Sequence, residues 1–93
     1  MIKLNEYFGG DVKSLGYEVK GDKATVGVME DGDFRFGTTT KEILTVIEGE
    51  LQVLLPGEKE YKKYTNGQSF EVPADISFHV RSVGQTSYLC QFR

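Results

Sequence analysis

Two side chains that could transfer a proton or bind an anion lie close together in this sequence. His79 is its only histidine, and Arg81 follows two positions later in the predicted strand Phe78–Ser82. Alternate residues of a strand share a face, so His79 and Arg81 lie together, opposite Phe78 and Val80. If the polar face is inward, the two side chains form a donor pair for an anion. If the apolar face is inward, both are ordinary surface residues.

Arg35 and Cys90 are two further candidates. The sequence leaves the orientation of Arg35 open and argues against catalysis by Cys90. Arg35 alternates with Phe34 and Phe36, so its orientation has the same ambiguity. Cys90 is the only cysteine, has no histidine near it in the sequence and lies in an alternating strand. A catalytic thiolate needs an electropositive neighbourhood. We therefore interpret Cys90 as a buried packing residue.

The elements that must position these side chains are strands. No interior stretch has an apolar period of about 3.6 residues over three turns, whereas several alternate with a period of two between turn signals. This pattern predicts a sandwich or a barrel. Ala24, Val26 and Val28 are predicted to face inward together. The other predicted strands are Val12–Val19, one through Phe34 and Phe36, the most buried hairpin Ile43–Ile47 with Leu51–Leu55, Tyr61–Thr65, Ser69–Val72, Phe78–Ser82 and Thr86–Phe92.

Length, charge and cysteine content limit the classes of partner. A chain of 93 residues forms one domain with a thin core and exposed strand edges, which predicts a homodimer. The formal net charge of −3 offers no broad basic surface, so we expect neither nucleic acid nor a membrane as partner. The sequence shows no export segment, no membrane span and no possibility of an intrachain disulfide, which predicts a cytoplasmic protein.

Two spaced pairs of residues resemble the motifs of the cupin family. Glu42 precedes Gly49 with six residues between them, which matches the end of the first cupin motif. Gly67 precedes Pro73 with five residues between them, which matches the start of the second. The resemblance implies an all-β, single-domain, RmlC-like jelly-roll barrel over residues 1–93, with the polar motif residues at its mouth.

The chain departs from the cupin pattern where cupins hold their histidines. The segment F-R-F-G-T stands in place of the histidine pair of the first motif, and His79 lies one place beyond the histidine of the second. A divalent metal requires three or more correctly placed donors. We therefore predict no metal site.

A second resemblance extends over nearly the whole chain. The strings N-E-Y-F, V-G-V-M, T-V-I-E-G-E-L and T-S-Y-L-C, in this order between Asn5 and Cys90, are similar to the small cupin-type pyrimidine/purine nucleoside phosphorylases. The resemblance implies reversible cleavage of purine and pyrimidine nucleosides by inorganic phosphate, which gives the free base and ribose 1-phosphate. Phosphate is then a co-substrate, and no cofactor is expected. The alternatives are a sugar-binding cupin without catalysis and a metal-dependent cupin enzyme.

The implied reaction passes through an oxocarbenium-like sugar, so the site needs a carboxylate, a phosphate site and a place for the base. Glu42 is the predicted catalytic carboxylate because of its position in the cupin motif, and His79 completes the predicted catalytic pair. The predicted substrate-binding residues supply cations for phosphate, rings for stacking on the base and polar groups for the sugar. In that order they are Arg35 and Arg81, Phe36 and Tyr88, and Thr45 and Gln52.

Overall fold

Strands make up most of the chain in the computed structural model, which describes residues 1–93. A single 3-10 turn, Phe8–Gly10, is the only helical segment. No helix has the length and apolar character needed to cross a membrane. The strands are β1 (Lys3–Tyr7), β2 (Val12–Val19), β3 (Asp22–Met29), β4 (Gly32–Gly37), β5 (Glu42–Glu48), β6 (Glu50–Leu54), β7 (Lys62–Thr65), β8 (Ser69–Val72), β9 (Ser77–Ser82) and β10 (Thr86–Phe92).

The strands form two antiparallel sheets. One has six strands in the order β1-β2-β3-β10-β5-β8, and the other has four in the order β4-β9-β6-β7. Consecutive strands often belong to different sheets, and the chain crosses between the sheets as it does in a jelly roll. This arrangement confirms the predicted all-β barrel. The predicted strands are all present, whereas β1 and the turn after it were not predicted.

The core lies between the two sheets and follows from strand alternation. Every second residue of a central strand points inward, and the inward positions are filled by branched and aromatic side chains. Completely buried residues of this kind are Val46 on β5, Leu51 on β6, Val72 on β8, and Phe78 and Val80 on β9.

The inward face of β3 is the opposite of the predicted one. Val26 and Val28 are 39% and 50% exposed, whereas Met29 is 1% exposed. Gly27 is buried as well, and its missing side chain leaves the space that the ring of Tyr88 occupies. The prediction of an inward face was therefore wrong for Val26 and Val28, whereas Ala24 is buried at 6% exposure. The interior needs the space at Gly27, so the two valines on either side of it face outward.

The predicted hairpin of Ile43–Ile47 with Leu51–Leu55 is not formed, because β5 and β6 belong to different sheets. The turn between these two strands explains the glycine of the first cupin-like motif. Gly49 has a φ of +122°, and a Cβ at this position would lie 2.7 Å from Oγ1 of Thr86. A side chain would meet both backbone strain and a steric clash, so only glycine fits. The turn carries the chain directly from β5 in one sheet to β6 in the other, and Glu42 lies at the opposite end of β5.

Candidate active site in the barrel cavity

A cavity of about 510 Å³ opens between the sheets, and most of its lining is apolar. Its walls come from both sheets. Arg35 and Glu42 are the only charged residues of the lining. Small-molecule sites are typically concave and apolar, measure roughly 300–1,000 Å³ and contain a few polar groups that orient the ligand. The cavity is therefore the candidate active site.

Glu42 begins β5 and points into the cavity, because it alternates with the buried residues Leu44 and Val46. In the structure its carboxylate has one hydrogen-bond partner, the thiol of Cys90, whose Sγ donates to Oε1 at 3.4 Å. Burial raises the pKa of Glu42 above the ordinary value of 4.5, and the hydrogen bond from Cys90 offsets part of this rise. A carboxylate with few protein partners in an apolar cavity acts strongly on any positive charge that develops beside it.

Tyr88 and Cys90 point into the cavity from alternate positions of β10. Burial raises the pKa of Tyr88 to about 12, so its phenol is neutral at physiological pH. The hydroxyl of Ser14 also lines the cavity and accepts a hydrogen bond from Nδ2 of Asn5 at 3.4 Å. Burial also raises the pKa of the Cys90 thiol, so the thiol remains protonated and is not a nucleophile.

Aromatic rings form one wall of the cavity. The rings of Phe36 and Phe78 lie 5.9 Å apart between centroids, and Phe8 packs edge-on against Phe36 at 5.4 Å. Phe8 belongs to the turn after β1, where its φ of +54° is unusual for a residue other than glycine. This turn brings the ring of Phe8 across to β4. Such a wall offers stacking surfaces for a planar ligand.

Arg35 lies at the rim of the cavity. It is an exposed residue of β4, an edge strand, and still contributes to the cavity lining. As the only cation in that lining, Arg35 is the one residue there whose charge attracts an anion to the cavity.

His79 and Arg81 lie on the outside of the barrel, which corrects their placement in the predicted site. The apolar face of β9 takes the interior, where Phe78 and Val80 are both 1% exposed. Arg81 instead forms an ion pair with Asp33, with 3.1 Å between Nε and Oδ1, and its guanidinium lies 3.9 Å from the ring centroid of Tyr61. Burying a charged side chain without a partner costs free energy, so the strand turns its apolar face inward.

Thr45 and Gln52 do not line the cavity, which corrects their placement in the predicted site. Thr45 shares a hydrogen bond of 2.7 Å with the hydroxyl of Ser69 on the neighbouring strand. The side-chain amide of Gln52 donates to Oε2 of Glu50 at 3.0 Å. Both strands place larger apolar residues inward, and these polar groups satisfy one another on the outer surface.

The cavity thus brings together Glu42, Arg35, Phe36 and Tyr88 of the predicted residues, and adds others that were not predicted. The additions share a position on the walls around Glu42 and Tyr88: Phe8, Ser14, Thr25, Thr39 and Cys90. The string N-E-Y-F ends at Phe8 and was a signal for that residue. Ser14 and Thr25 had none, because a hydroxyl in a strand is equally common on the outer face.

Comparisons with known proteins agree over the full length of the chain. The family model described as pyrimidine/purine nucleoside phosphorylase matches residues 2–92. A protein named pyrimidine/purine nucleoside phosphorylase from Aeromonas salmonicida (strain A449) is 53% identical over 92 residues, which cover 99% of this chain and 98% of that protein. The relative of the same name from Tolumonas auensis (strain DSM 9187 / NBRC 110442 / TA 4) is 43% identical over 93 residues, with both chains fully covered.

Solved structures show the same fold. The crystal structure of a protein of unknown function from Vibrio parahaemolyticus superposes with a TM-score of 0.97 at 42% identity, and the match covers 100% of this chain and 99% of that one. An RmlC-like cupin from Shewanella frigidimarina NCIMB 400 superposes with a TM-score of 0.77 at 21% identity and covers 98% and 82% of the two chains. The second similarity shows the cupin fold alone.

Proposed function

Because the chain belongs to the pyrimidine/purine nucleoside phosphorylase family, we propose that phosphorolysis of nucleosides takes place in its barrel cavity. In this reaction a phosphate oxygen forms a bond to the anomeric carbon of the sugar, and the bond between that carbon and the base nitrogen breaks. The base leaves with the electron pair and takes up a proton. The products are the free base and ribose 1-phosphate, and the same site catalyses the reverse reaction.

The half-buried carboxylate of Glu42, the only acidic side chain in a mostly apolar cavity, is the observation that carries this proposal. The sugar gains positive charge as the base departs, and a fixed anion is more favourable beside that transition state than beside the neutral nucleoside. Glu42 therefore lowers the barrier by electrostatic stabilisation. Its position inside the cavity also suits hydrogen bonds from the ribose hydroxyls.

The aromatic wall suits a base without selecting one base. Purines and pyrimidines both present a π-face, so stacking on Phe36 and its neighbouring rings gives affinity for either class. The neutral phenol of Tyr88 adds a hydrogen-bond donor on the opposite sheet. Broad specificity follows from a site that recognises the base chiefly by shape and polarisability.

Arg35 is the proposed phosphate contact. A guanidinium binds phosphate oxygens through charge-assisted, often bidentate hydrogen bonds. Its place at the rim would let phosphate approach the sugar while the base remains against the aromatic wall. The phosphate is then the only group besides the nucleoside that the reaction requires.

We propose that the reaction needs no metal ion. No group of three or more histidine, cysteine, aspartate or glutamate side chains has a metal-binding arrangement. A divalent ion would find too few donors for tight binding. The proposal for this cavity is therefore electrostatic and acid–base chemistry by side chains alone.

A homodimer is the proposed assembly, formed through the outer face of the six-stranded sheet. Leu4, Leu15, Val26 and Leu89 occupy successive strands in one cross-strand row. The first three are 61%, 48% and 39% exposed. An apolar row of this kind is complementary to itself, so two copies related by a twofold axis can pack their sheets face to face.

The cytoplasm is the proposed location. Cys90 is a free thiol, and a reducing compartment keeps such thiols reduced. Nucleosides and inorganic phosphate are both available there as substrates.

The test of the proposed function is an assay of the purified protein with uridine and with adenosine, each with and without inorganic phosphate. The expected result is release of base only when phosphate is present, with ribose 1-phosphate as the second product and no loss of rate in EDTA. Nucleoside binding without cleavage would favour a non-catalytic binding protein. Loss of activity in EDTA with recovery on addition of one divalent ion would favour a metal-dependent enzyme.

A further inference from the structure

Cys90 is the one protein group that is hydrogen-bonded to the carboxylate proposed to stabilise the sugar. Its Sγ lies 3.4 Å from Oε1 of Glu42. The two residues lie on adjacent strands, where Cys90 pairs with Leu44 and Phe92 pairs with Glu42. Cys90 is thus one diagonal step from Glu42 on the same inward face, a separation that side chains can span.

We propose that Cys90 is a positioning residue for phosphorolysis, whose thiol holds the carboxylate of Glu42 in the orientation that faces the sugar. The inference rests on the proposed function. The thiol itself forms no bond to substrate, and no covalent step involves it. Its contribution is to limit the rotation of the carboxylate, so that one oxygen is held by the thiol and the other is free for the sugar.

Thr25 lies beside Cys90 on the other neighbouring strand. Thr25 on β3 pairs directly with Cys90 on β10, and both residues line the cavity. The thiol proton is directed to Glu42, whose Oε1 accepts it at 3.4 Å. Strands β10 and β5 therefore contribute one hydrogen bond, from thiol to carboxylate.

Few other groups could replace this contact. The titratable and charged groups that line the cavity with Glu42 are Tyr7 on β1, Arg35 on β4, and Tyr88 and Cys90 on β10. Among them only Cys90 is hydrogen-bonded to the carboxylate. Without it the carboxylate would lose its one protein donor and remain half-buried, which favours the protonated form.

Two substitutions separate the hydrogen bond from the packing. Cys90→Ala removes the donor, and Cys90→Ser keeps a donor of similar size. Val53→Ala is the packing control, because it removes buried atoms from β6 at a residue that does not line the cavity. Each protein is measured for kcat/KM as a function of pH, and for the pKa of Glu42 by carbon NMR in the absence of substrate.

We expect Cys90→Ala to lose about tenfold or more in kcat/KM, the scale of one hydrogen bond to a charged group. The loss is expected in kcat more than in KM. The NMR pKa of Glu42 and the acidic limb of the pH profile should both move upward. Cys90→Ser should recover most of the rate and the parent's pKa, and Val53→Ala should change neither pKa nor profile.

The outcome for Cys90 is separable from the outcome for the proposed function. A Cys90→Ala variant with the parent's kcat/KM and an unchanged Glu42 pKa overturns the inference, as does an equal loss in the alanine and serine variants. A parent protein without phosphorolysis overturns the proposed function and, with it, a role for Cys90 in catalysis. The NMR titration still decides in that case whether the thiol controls the carboxylate.

Discussion

Tyr88 of β10 lies opposite Gly27 of β3, and its phenolic oxygen fills the space where a side chain at position 27 would begin. A Cβ on Gly27 would lie 2.7 Å from the phenolic oxygen of Tyr88 and 2.7 Å from the backbone oxygen of Lys13. Both distances are shorter than any normal contact. The absence of a side chain on one strand therefore decides where a cavity-lining phenol on the next strand can lie.

Gly27→Ala is expected to move Tyr88 and to destabilise the fold. Overpacking of this kind costs about 1–3 kcal/mol, and the backbone oxygen of Lys13 cannot rotate away. We expect a lower melting temperature and a loss of kcat/KM. Gly16→Ala on β2 is the matched control, because its Cβ would meet nothing closer than 3.6 Å. Equal melting temperatures and rates for the two variants would contradict the close packing of Tyr88 on Gly27.

Glu42→Gln tests the proposed catalytic carboxylate. The amide keeps the size of the side chain and removes its charge, so we expect normal folding and a loss on the order of 10²-fold in kcat/KM. Glu71→Gln carries the same change on the outer face of β8 and should retain the parent rate. Phosphorolysis at the parent rate in the Glu42 variant would remove this residue from the mechanism.

The stability of Glu42→Gln should depend on pH in a defined direction. Burial raises the folded-state pKa of Glu42 above 4.5, so the folded parent gains stability as the pH falls through that raised pKa towards 4.5. At neutral pH, folding of the parent carries the free-energy cost of desolvating an ionised carboxylate. Folding of the amide variant has no such cost. We therefore expect Glu42→Gln to melt at or above the parent temperature at neutral pH.

The difference between the two melting temperatures should then shrink as the pH is lowered, and should vanish below pH 4.5, where Glu42 is protonated in both the folded and unfolded states. Thermal melts across this range measure it. A stability advantage of the amide that is independent of pH would show that ionisation of Glu42 has no part in the effect.

His79→Ala should leave phosphorolysis unchanged. His79 is an exposed residue of β9 and does not line the cavity. The variant is assayed beside Glu42→Gln under the same conditions, so that a loss in one and not the other identifies the catalytic face. A tenfold loss of rate corresponds to an activation free energy higher by about 1.4 kcal/mol. A loss of that size or larger, at unchanged melting temperature, would mean that the outer face of β9 also takes part in the reaction.

Val26→Lys should convert the proposed dimer to monomers. The substitution places a charge in the middle of the apolar row, where pairing of two copies would desolvate it. Val83→Lys alters a valine of similar exposure, 52% against 39%, that lies outside the strands. Light scattering at micromolar concentration should give a monomer for the first variant and a dimer for the second. A monomeric parent protein would contradict the assembly.

Local patterns in the sequence determined the secondary structure and the cavity position of Glu42. Period-two alternation and turn residues predicted the strands from Val12 onwards, because both arise from the backbone geometry of neighbouring residues. The spacing from Glu42 to Gly49 predicted an inward glutamate. Glu42 does line the cavity, because it alternates on β5 with the buried residues Leu44 and Val46.

Tertiary structure alone decided which face of two strands is inward. On β9, alternation separates Phe78 and Val80 from His79 and Arg81 but does not state which pair meets the opposite sheet. On β3, Val26 and Val28 face outward, because the interior needs the space at Gly27 for Tyr88. Tertiary structure also brings Cys90 to Glu42. The two residues are 48 positions apart in the sequence, and only the pairing of β5 with β10 places their side chains in contact.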